Sequence, residues 1–436
     1  MNIMNSAIES EQDVAAVPRY LPWLVVFTAS LFFFYEFIQM QMFNTISHYL
    51  LDDFKISATT LGYAASSYFL SDVLFLFPAG MLIDRFSTRR VIMLGMGIAV
   101  ITTAIMGFSH SIWLVAICHF AAGFGASFAL LSCVRLASRW FPARLMALIV
   151  GLIVTVAFFG GMVAQTPLAW VAAKLGWRES VEIVAALGLV IMGFIFTLVR
   201  DYPPGKEAFF AVQKHQLKAL GVKSSVAAAL SNPQNWFCGF YTSFVNLPLM
   251  LLGGLWGSLY LTTVHHLSFM QASYATSMIF FGSMIGCPVI GALSDYLALR
   301  KMPMIFFAGL SLPLMLAIVY MPHLSLISLL LLFFGLGLFT AAQTIAYPVI
   351  AESNPKMMTS TAMGLSSLLI MGSPMVFEPV FGWLMDKSWD GKVVNGVHVY
   401  STQTYYHSML LLTGVLAAGF IASFFIRETY AKENPN

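Results

Sequence analysis

Five ionisable residues stand where the chain is otherwise apolar: Glu36, Asp72, His119, Arg135 and Glu378. An ionisable side chain at the centre of a membrane helix costs about 2.5–3.5 kcal/mol on insertion scales, so each implies a partner or a task. Glu36 lies about 22 Å of helical rise into its run, with Gln39 one turn on along the same face. It suits a proton or an amine; the alternative is a neutral, hydrogen-bonded packing residue. Glu378 sits between Pro374 and Pro379, where missing backbone donors leave carbonyls free to accept its proton. Proton carriage, an inert glutamic acid, or pairing with Arg135 are the readings open to it. Asp72, one turn after Tyr68, reads first as a carboxyl bonded to neighbouring helices. Arg135 either snorkels to the cytoplasmic surface or gives an internal cavity a fixed positive charge suited to a carboxylate or phosphate. His119 can titrate near neutral pH. Asn246, Trp256, Tyr260, Gln165 and Gln343 are candidate solute contacts, with aromatic packing the competing account of Trp256 and Tyr260.

These residues need helices to hold them, and the composition supplies helices. Of 436 residues, 59% are hydrophobic and 9% charged; soluble domains carry roughly 25% charge. The chain is therefore an integral membrane protein, and its net charge of +3 is no nucleic-acid signal. Runs of about 20 apolar residues, enough to cross the hydrocarbon core, number twelve: roughly 21–47, 57–83, 89–108, 111–139, 145–172, 178–199, 233–263, 270–296, 302–321, 324–352, 358–385 and 403–427. With both ends cytoplasmic, 16 of the 22 Lys and Arg fall in cytoplasmic segments and 5 outside, which favours that orientation. The expected organisation is a cytoplasmic tail 1–20, a six-helix bundle 21–199, a cytoplasmic linker 200–232, a second bundle 233–427 and a tail 428–436. The first twenty residues lack a basic n-region, so the first span is expected to act as the insertion signal. Cys118, Cys133, Cys238 and Cys287 lie in apolar runs with no metal-ligand spacing, and no metal or cofactor is expected.

The stretch Gly80-Met81-Leu82-Ile83-Asp84-Arg85-Phe86-Ser87-Thr88-Arg89-Arg90 recurs 211 residues later as Gly291-Ala292-Leu293-Ser294-Asp295-Tyr296-Leu297-Ala298-Leu299-Arg300-Lys301. Gly, Asp and the basic pair are in register, so the protein is a doubled unit. Gly80 and Gly291 would let another helix approach closely. Asp84 and Asp295 would sit against the N-termini of the eleventh and fifth spans, with Arg85, Arg89, Arg90 and Arg300 holding the loops at the surface: a gate at the cytoplasmic face. Gln165 and Glu378, 213 residues apart at the ends of matching Pro- and Trp-containing patterns, give a second register.

Two such loops resemble the signature of the major facilitator superfamily, roughly G-x-x-x-D-R-x-G-R-R. Phe34–Gln39, Leu136–Pro142 and Gly254–Leu261 further resemble the bacterial phagosomal transporters of the Pht and Fpt type. The resemblance implies an all-α membrane fold of two six-helix bundles, with the first, fourth, seventh and tenth spans lining a central cavity. It implies a monomeric secondary transporter of the cytoplasmic membrane, moving an amino acid, a nucleoside or a carboxylate, carboxylate siderophores included, by alternating access with protons as coupling ion. The family's fourth span often carries R-x-x-x-G; here it is His119 to Gly123, so the role of that Arg does not carry over. With no phosphate loop, G-x-S-x-G or H-E-x-x-H in the sequence, an enzyme is not expected, and a non-transporting receptor is the different-class alternative.

Overall fold

The computed structural model describes residues 18–142, 145–204, 229–321, 324–354 and 359–430. The first half contains α1 (Leu21–Phe54), α2 (Ala58–Arg85), α3 (Thr88–Gly107), α4 (Ile112–Trp140), α5 (Met146–Val163), α6 (Thr166–Leu175) and α7 (Trp177–Leu198). The second contains α8 (Pro233–Leu251), α9 (Gly257–Val264), α10 (Phe269–Leu297), α11 (Lys301–Tyr320), α12 (Leu326–Thr340), α13 (Ala346–Ser353), α14 (Thr359–Lys387) and α15 (Thr402–Phe425). Because α5–α6, α8–α9 and α12–α13 each cross as one broken span, these helices form twelve crossings in two six-helix bundles. With twelve crossings, the described ends of the bundles, at residues 18 and 430, lie on one side, here called the terminal face; the other is the distal face.

Helix starts are capped where the chain enters the apolar layer and free N–H groups would be costly. Ser57, Ser87, Asn232, Ser325 and Ser401 each accept a first-turn backbone N–H. Ser268 and Gln271 form a full capping box, satisfying two donors at once. Each half also carries an acid outside its last helix that caps its third span. The Asp201 carboxylate accepts from Arg89 N at 2.9 Å, and Glu428 accepts from Arg300 N at 2.8 Å and Lys301 N at 3.0 Å.

The internal repeat is visible in packing as well as in sequence. A Cβ on Gly123 of α4 would fall 2.2 Å from the Tyr68 carbonyl of α2, and one on Gly337 of α12 would fall 1.9 Å from the Ile279 carbonyl of α10. Positions 68 and 279 are 211 residues apart and 123 and 337 are 214 apart, so the same small-residue crossing is built twice.

Three irregular turns interrupt crossings. Pro248 removes a backbone donor in α8, and a π-helical turn, Leu252–Trp256, follows it and contains Gly253 and Gly254. A 3₁₀ turn, Ala341–Ile345, separates α12 from α13, and α5 breaks from α6 at Ala164 and Gln165. The first is legible in Pro248 and the paired glycines; the second is followed by Pro348, which cannot donate to the Thr344 carbonyl one turn back. The first span is also longer than the apolar run 21–47: α1 continues to Phe54 because Asp53 is held by Trp177 Nε1 at 2.7 Å and Arg178 at 2.6 Å. A feature absent from the sequence reading is the short hairpin of β1 (Val393–Val394) and β2 (Val397–His398) on the distal face, turned by Asn395-Gly396 with both residues at positive φ.

Candidate functional site

The two halves meet along a seam that is closed towards the distal face. Where α2 crosses α14, a Cβ on Gly382 would fall 2.4 Å from the Ala58 carbonyl and one on Gly62 2.7 Å from that of Glu378, so the backbones touch. Asp386 at the end of α14 accepts from the backbone N–H of Ala58 (3.3 Å) and Thr59 (2.9 Å), and from the hydroxyls of Thr59 and Tyr400. A carboxylate from one half thus caps a helix of the other. Further along the same two helices, Gly80, Gly364 and Gly372 have open space where a Cβ would go, among the described residues. The α5–α10 pair behaves alike: Gly161 abuts Phe280 at 2.7 Å, while Gly151 and Gly291 meet nothing within 4 Å. On both pairs the distal glycines are pressed against the partner helix, while glycines nearer the terminal face on the same helices meet no neighbouring atom among the described residues.

Inside the closed end is a buried polar network. Asn44 of α1 donates to Gln165 Oε1 at 2.5 Å and to Ser258 Oγ at 3.0 Å, and its Oδ1 accepts Ser258 N at 2.9 Å. Gln165 Nε2 donates to the Gly253 carbonyl at 2.8 Å, and Thr276 Oγ1 donates to Gln165 Oε1 at 2.9 Å. The break at Gln165 and the π turn at Gly253 therefore serve one purpose: each frees backbone groups that side chains of the other half satisfy. Below this network Gln41 Oε1, Glu378 Oε2 and Trp256 Nε1 are buried with no hydrogen-bond partner. Trp256 stacks on Phe381 with centroids 4.9 Å apart.

The candidate residues divide accordingly. Gln165 and Glu378 lie at the seam. Asn246 and Gln343 bond one another at 2.7 Å, joining α8 to the 3₁₀ turn of the tenth span. Two placements, those of Glu36 and Tyr260, differ from expectation. Glu36 does not face the space between the halves. It is enclosed in the first bundle, where Tyr68 OH donates to its Oε2 at 3.0 Å and a Cβ on Gly125 of α4 would sit 2.8 Å from its Oε1. The Gln39 carbonyl lies 3.2 Å from His119 Nε2, both polar side-chain atoms of Gln39 are buried and unbonded, and His119 stacks on Phe43 at 4.1 Å. Glu36 faces Tyr68 of α2 and Gly125 of α4, whereas the side chains reaching the second half from α1 are Gln41, which meets Met250, and Asn44, which meets Ser258. Those two, with Ser258, Thr276 and Asp386, are the residues that sequence reasoning missed, although the polar pair at i, i+3 in an apolar run was the available signal.

Tyr260 is not a seam residue either; its hydroxyl donates to the Ile318 carbonyl at 2.7 Å, inside the second bundle. Arg135 is five residues from the terminal-face end of α4 and Glu378 nine from the distal end of α14, so they lie in opposite halves of the membrane and are not partners. Asp72 is buried in α2 one turn from Tyr68.

Of the loop residues, the side chains of Asp84 and Arg85 lie outside the described residues. Arg300 binds Asp295 at 2.6 Å and also reaches Glu352 at 3.0 Å, a network internal to the second half; residues 143 and 144, just ahead of α5, lie outside the described residues. Arg89 holds α3 to α7 through the Phe196 carbonyl and ring, and with Ser87, Arg90, Arg200 and Tyr202 it lines a cavity of about 810 Å³ on the terminal face.

The chain is similar over most of its length to known membrane proteins. It is 24% identical over 395 residues to the membrane sensor protein UhpC of Escherichia coli, covering 87% of this chain and 90% of that one. It is 20% identical over 421 residues to the probable galactarate/D-glucarate transporter GarP of the same organism, covering 88% and 92%. Among solved structures, a bacterial homologue of the human lysosomal transporter Spinster, inward-facing and unoccupied, superposes with a TM-score of 0.73 at 16% identity, covering 96% of this chain and 100% of that one. The D-xylose-proton symporter superposes at 0.72 with 14% identity, covering 93% and 97%. The Major Facilitator Superfamily model matches residues 29–377, and with the doubled six-helix architecture and its seam this chain belongs to that superfamily.

Proposed function

We propose that this protein is a secondary transporter that carries a small polar organic solute across the cytoplasmic membrane by alternating access, with protons as coupling ion and both termini in the cytoplasm. The observation that carries the reading is the asymmetric seam. Two pairs of helices touch through glycine at the distal end, glycines nearer the terminal face on the same helices meet no neighbouring atom among the described residues, and unbonded polar groups of both halves lie beneath the closure. A site reached from one side and roofed on the other is what alternating access requires. Candidate solute contacts are Gln41, Gln165, Asn246, Trp256, Gln343 and Glu378. Proton coupling is assigned to Glu36, held by Tyr68 within one bundle and one helical turn from the level of Asp72. The likeness to the phagosomal branch, resting on the motifs of the first, fourth and seventh spans, favours amino acids or nucleosides; GarP, by its name, carries aldarates.

Uptake of labelled amino acids, nucleosides and carboxylates into proteoliposomes, with and without an imposed pH gradient, tests the proposal. Concentrative uptake of one class that collapses with the gradient is the expected result; uptake of none rejects it. A second reading has one observation in its favour: UhpC is named a sensor. Saturable solute binding with no uptake would favour a receptor instead.

A further inference from the structure

The repeat puts matching positions at the terminal-face edge of each half, but their charges differ. In the second half Arg300, Lys301 and Arg427 are matched by Asp295, Glu352 and Glu428, and Arg300 is bound to both Asp295 and Glu352. In the first half the equivalent positions hold Arg89 and Arg90 at the start of α3, Arg200 and Asp201 after α7, and Arg139 near the end of α4, 213 residues before Glu352. Four bases there accompany one described acid. Asp84 and Arg85 add one charge of each sign, and the linker 205–228 carries four Lys and one Glu, so neither stretch supplies the missing acid.

Asp201 does not neutralise the arginines around it. Its carboxylate accepts from Arg89 N at 2.9 Å and from the Ser87 hydroxyl, capping α3, and it lies 4.0 Å from the buried Arg139. Arg90 and Arg200 are exposed and make no ion pair among the described residues. The Arg89 guanidinium reaches the carbonyl and the ring of Phe196, neither of them a charge. These three arginines line the cavity of about 810 Å³ between the start of α3 and the end of α7.

The surroundings of the cavity point to its occupant. Met93 and Phe196 also line it, and further along the same helices Leu94 and Ile101 of α3 and Val190 and Phe194 of α7 are exposed. Both helices are long and apolar enough to cross a membrane, so this surface faces acyl chains and the arginines stand where phospholipid headgroups begin. A guanidinium stays charged and binds phosphate oxygens in pairs, and basic pockets at the ends of membrane helices suit anionic headgroups. The excess of positive charge disfavours a headgroup that brings its own ammonium. We propose that Arg89, Arg90 and Arg200 bind the headgroup phosphate of an anionic phospholipid in the leaflet of the terminal face.

Phosphatidylglycerol and cardiolipin, beside phosphatidylethanolamine and phosphatidylcholine of the same acyl chains, test it. Each is titrated into the purified full-length protein in neutral detergent, while native mass spectrometry counts retained lipid and the thermal unfolding midpoint is followed. The anionic lipids should be retained, and should stabilise, at concentrations about tenfold below those needed for the other two. Arg90→Gln with Arg200→Gln changes two exposed side chains and should remove that preference; Arg200→Gln alone should weaken it roughly threefold and serves if the double variant does not fold. Lys301→Gln with Arg427→Gln takes the same charge from the other half and should leave the preference in place. Sodium phosphate and glycerol 3-phosphate separate a lipid from a free phosphate, and protection by either at the concentrations effective for phosphatidylglycerol would overturn the lipid assignment. Equal retention of all four lipids, or a preference unchanged in the Arg90 and Arg200 variants, would overturn the site. Equal loss in the Lys301 and Arg427 variant would overturn it too, because overall charge would then suffice. These readouts depend neither on transport nor on which face is cytoplasmic.

Discussion

At the scale of single residues, two carboxylates that look alike in sequence occupy different environments. Glu36 is shut within one bundle with Tyr68 as its donor, whereas Glu378 stands where the halves meet. A group that carries the coupling proton must bind and release it; a group that binds solute must be reached by it. Glu36→Gln keeps shape and hydrogen bonding but holds no exchangeable proton. It should abolish accumulation driven by a pH gradient and spare exchange between equally loaded sides, measured as labelled-solute counterflow. Wild-type accumulation in that variant would move coupling elsewhere. Glu428 permits a simpler test outside the membrane. Burial pushes its carboxyl up, but the backbone N–H groups of Arg300, Lys301, Tyr430 and Thr429 outweigh burial and hold it below the usual carboxylate range. Its contribution to stability is therefore complete above the unfolded value of about 4.3 and is lost as pH falls through the lower folded value. Glu428→Gln should melt below wild type at pH 6, with the difference shrinking as both are taken below about pH 4; a difference that persists there would contradict the assignment.

At the scale of elements, the distal closure is a contact between helix backbones, and its strength depends on having no side chain in the way. Gly382 faces the Ala58 carbonyl at 2.4 Å, so any Cβ must push α14 from α2 and disturb the hydrogen bonds that Asp386 makes to Ala58 and Thr59. Gly382→Ala should shift the population towards the distally open state by the roughly 1–3 kcal/mol typical of coupling energies. Single cysteines placed along the seam would report it, labelling faster from the distal side and more slowly from the terminal side. Unchanged labelling on both sides would mean that the seam yields by local adjustment. The hairpin after α14 belongs to this closure, since Gly396 packs against Lys55 of the first half and Tyr400 supplies a hydroxyl to Asp386.

At the scale of the whole molecule, the proposed orientation follows from the basic residues and not from packing. Topology reporters fused after Tyr430 and within 206–223 should both report cytoplasm; a periplasmic signal at either would reverse the transport direction assigned to the open face.

What the sequence by itself determined is the membrane class, the number of crossings, the doubling and the superfamily resemblance, because each depends on local composition or on spacing along one chain. Apolar runs must cross the bilayer as helices whatever surrounds them, and a repeated loop is visible wherever its residues recur. The break in the seventh span is also marked locally, by Pro248 and the paired Gly253 and Gly254. The tertiary structure alone decided which face of each helix meets which neighbour. A membrane helix is apolar on every side, so no amphipathic stripe marks the buried face, and only about 140° around α1 separates Glu36, inside the first bundle, from Gln41. The same holds for Asp386, which in sequence is a charge at a helix end and in the fold is the cap of a helix belonging to the other half. Contacts between halves join residues more than two hundred positions apart, Asn44 to Ser258 among them, and only folding brings such pairs together.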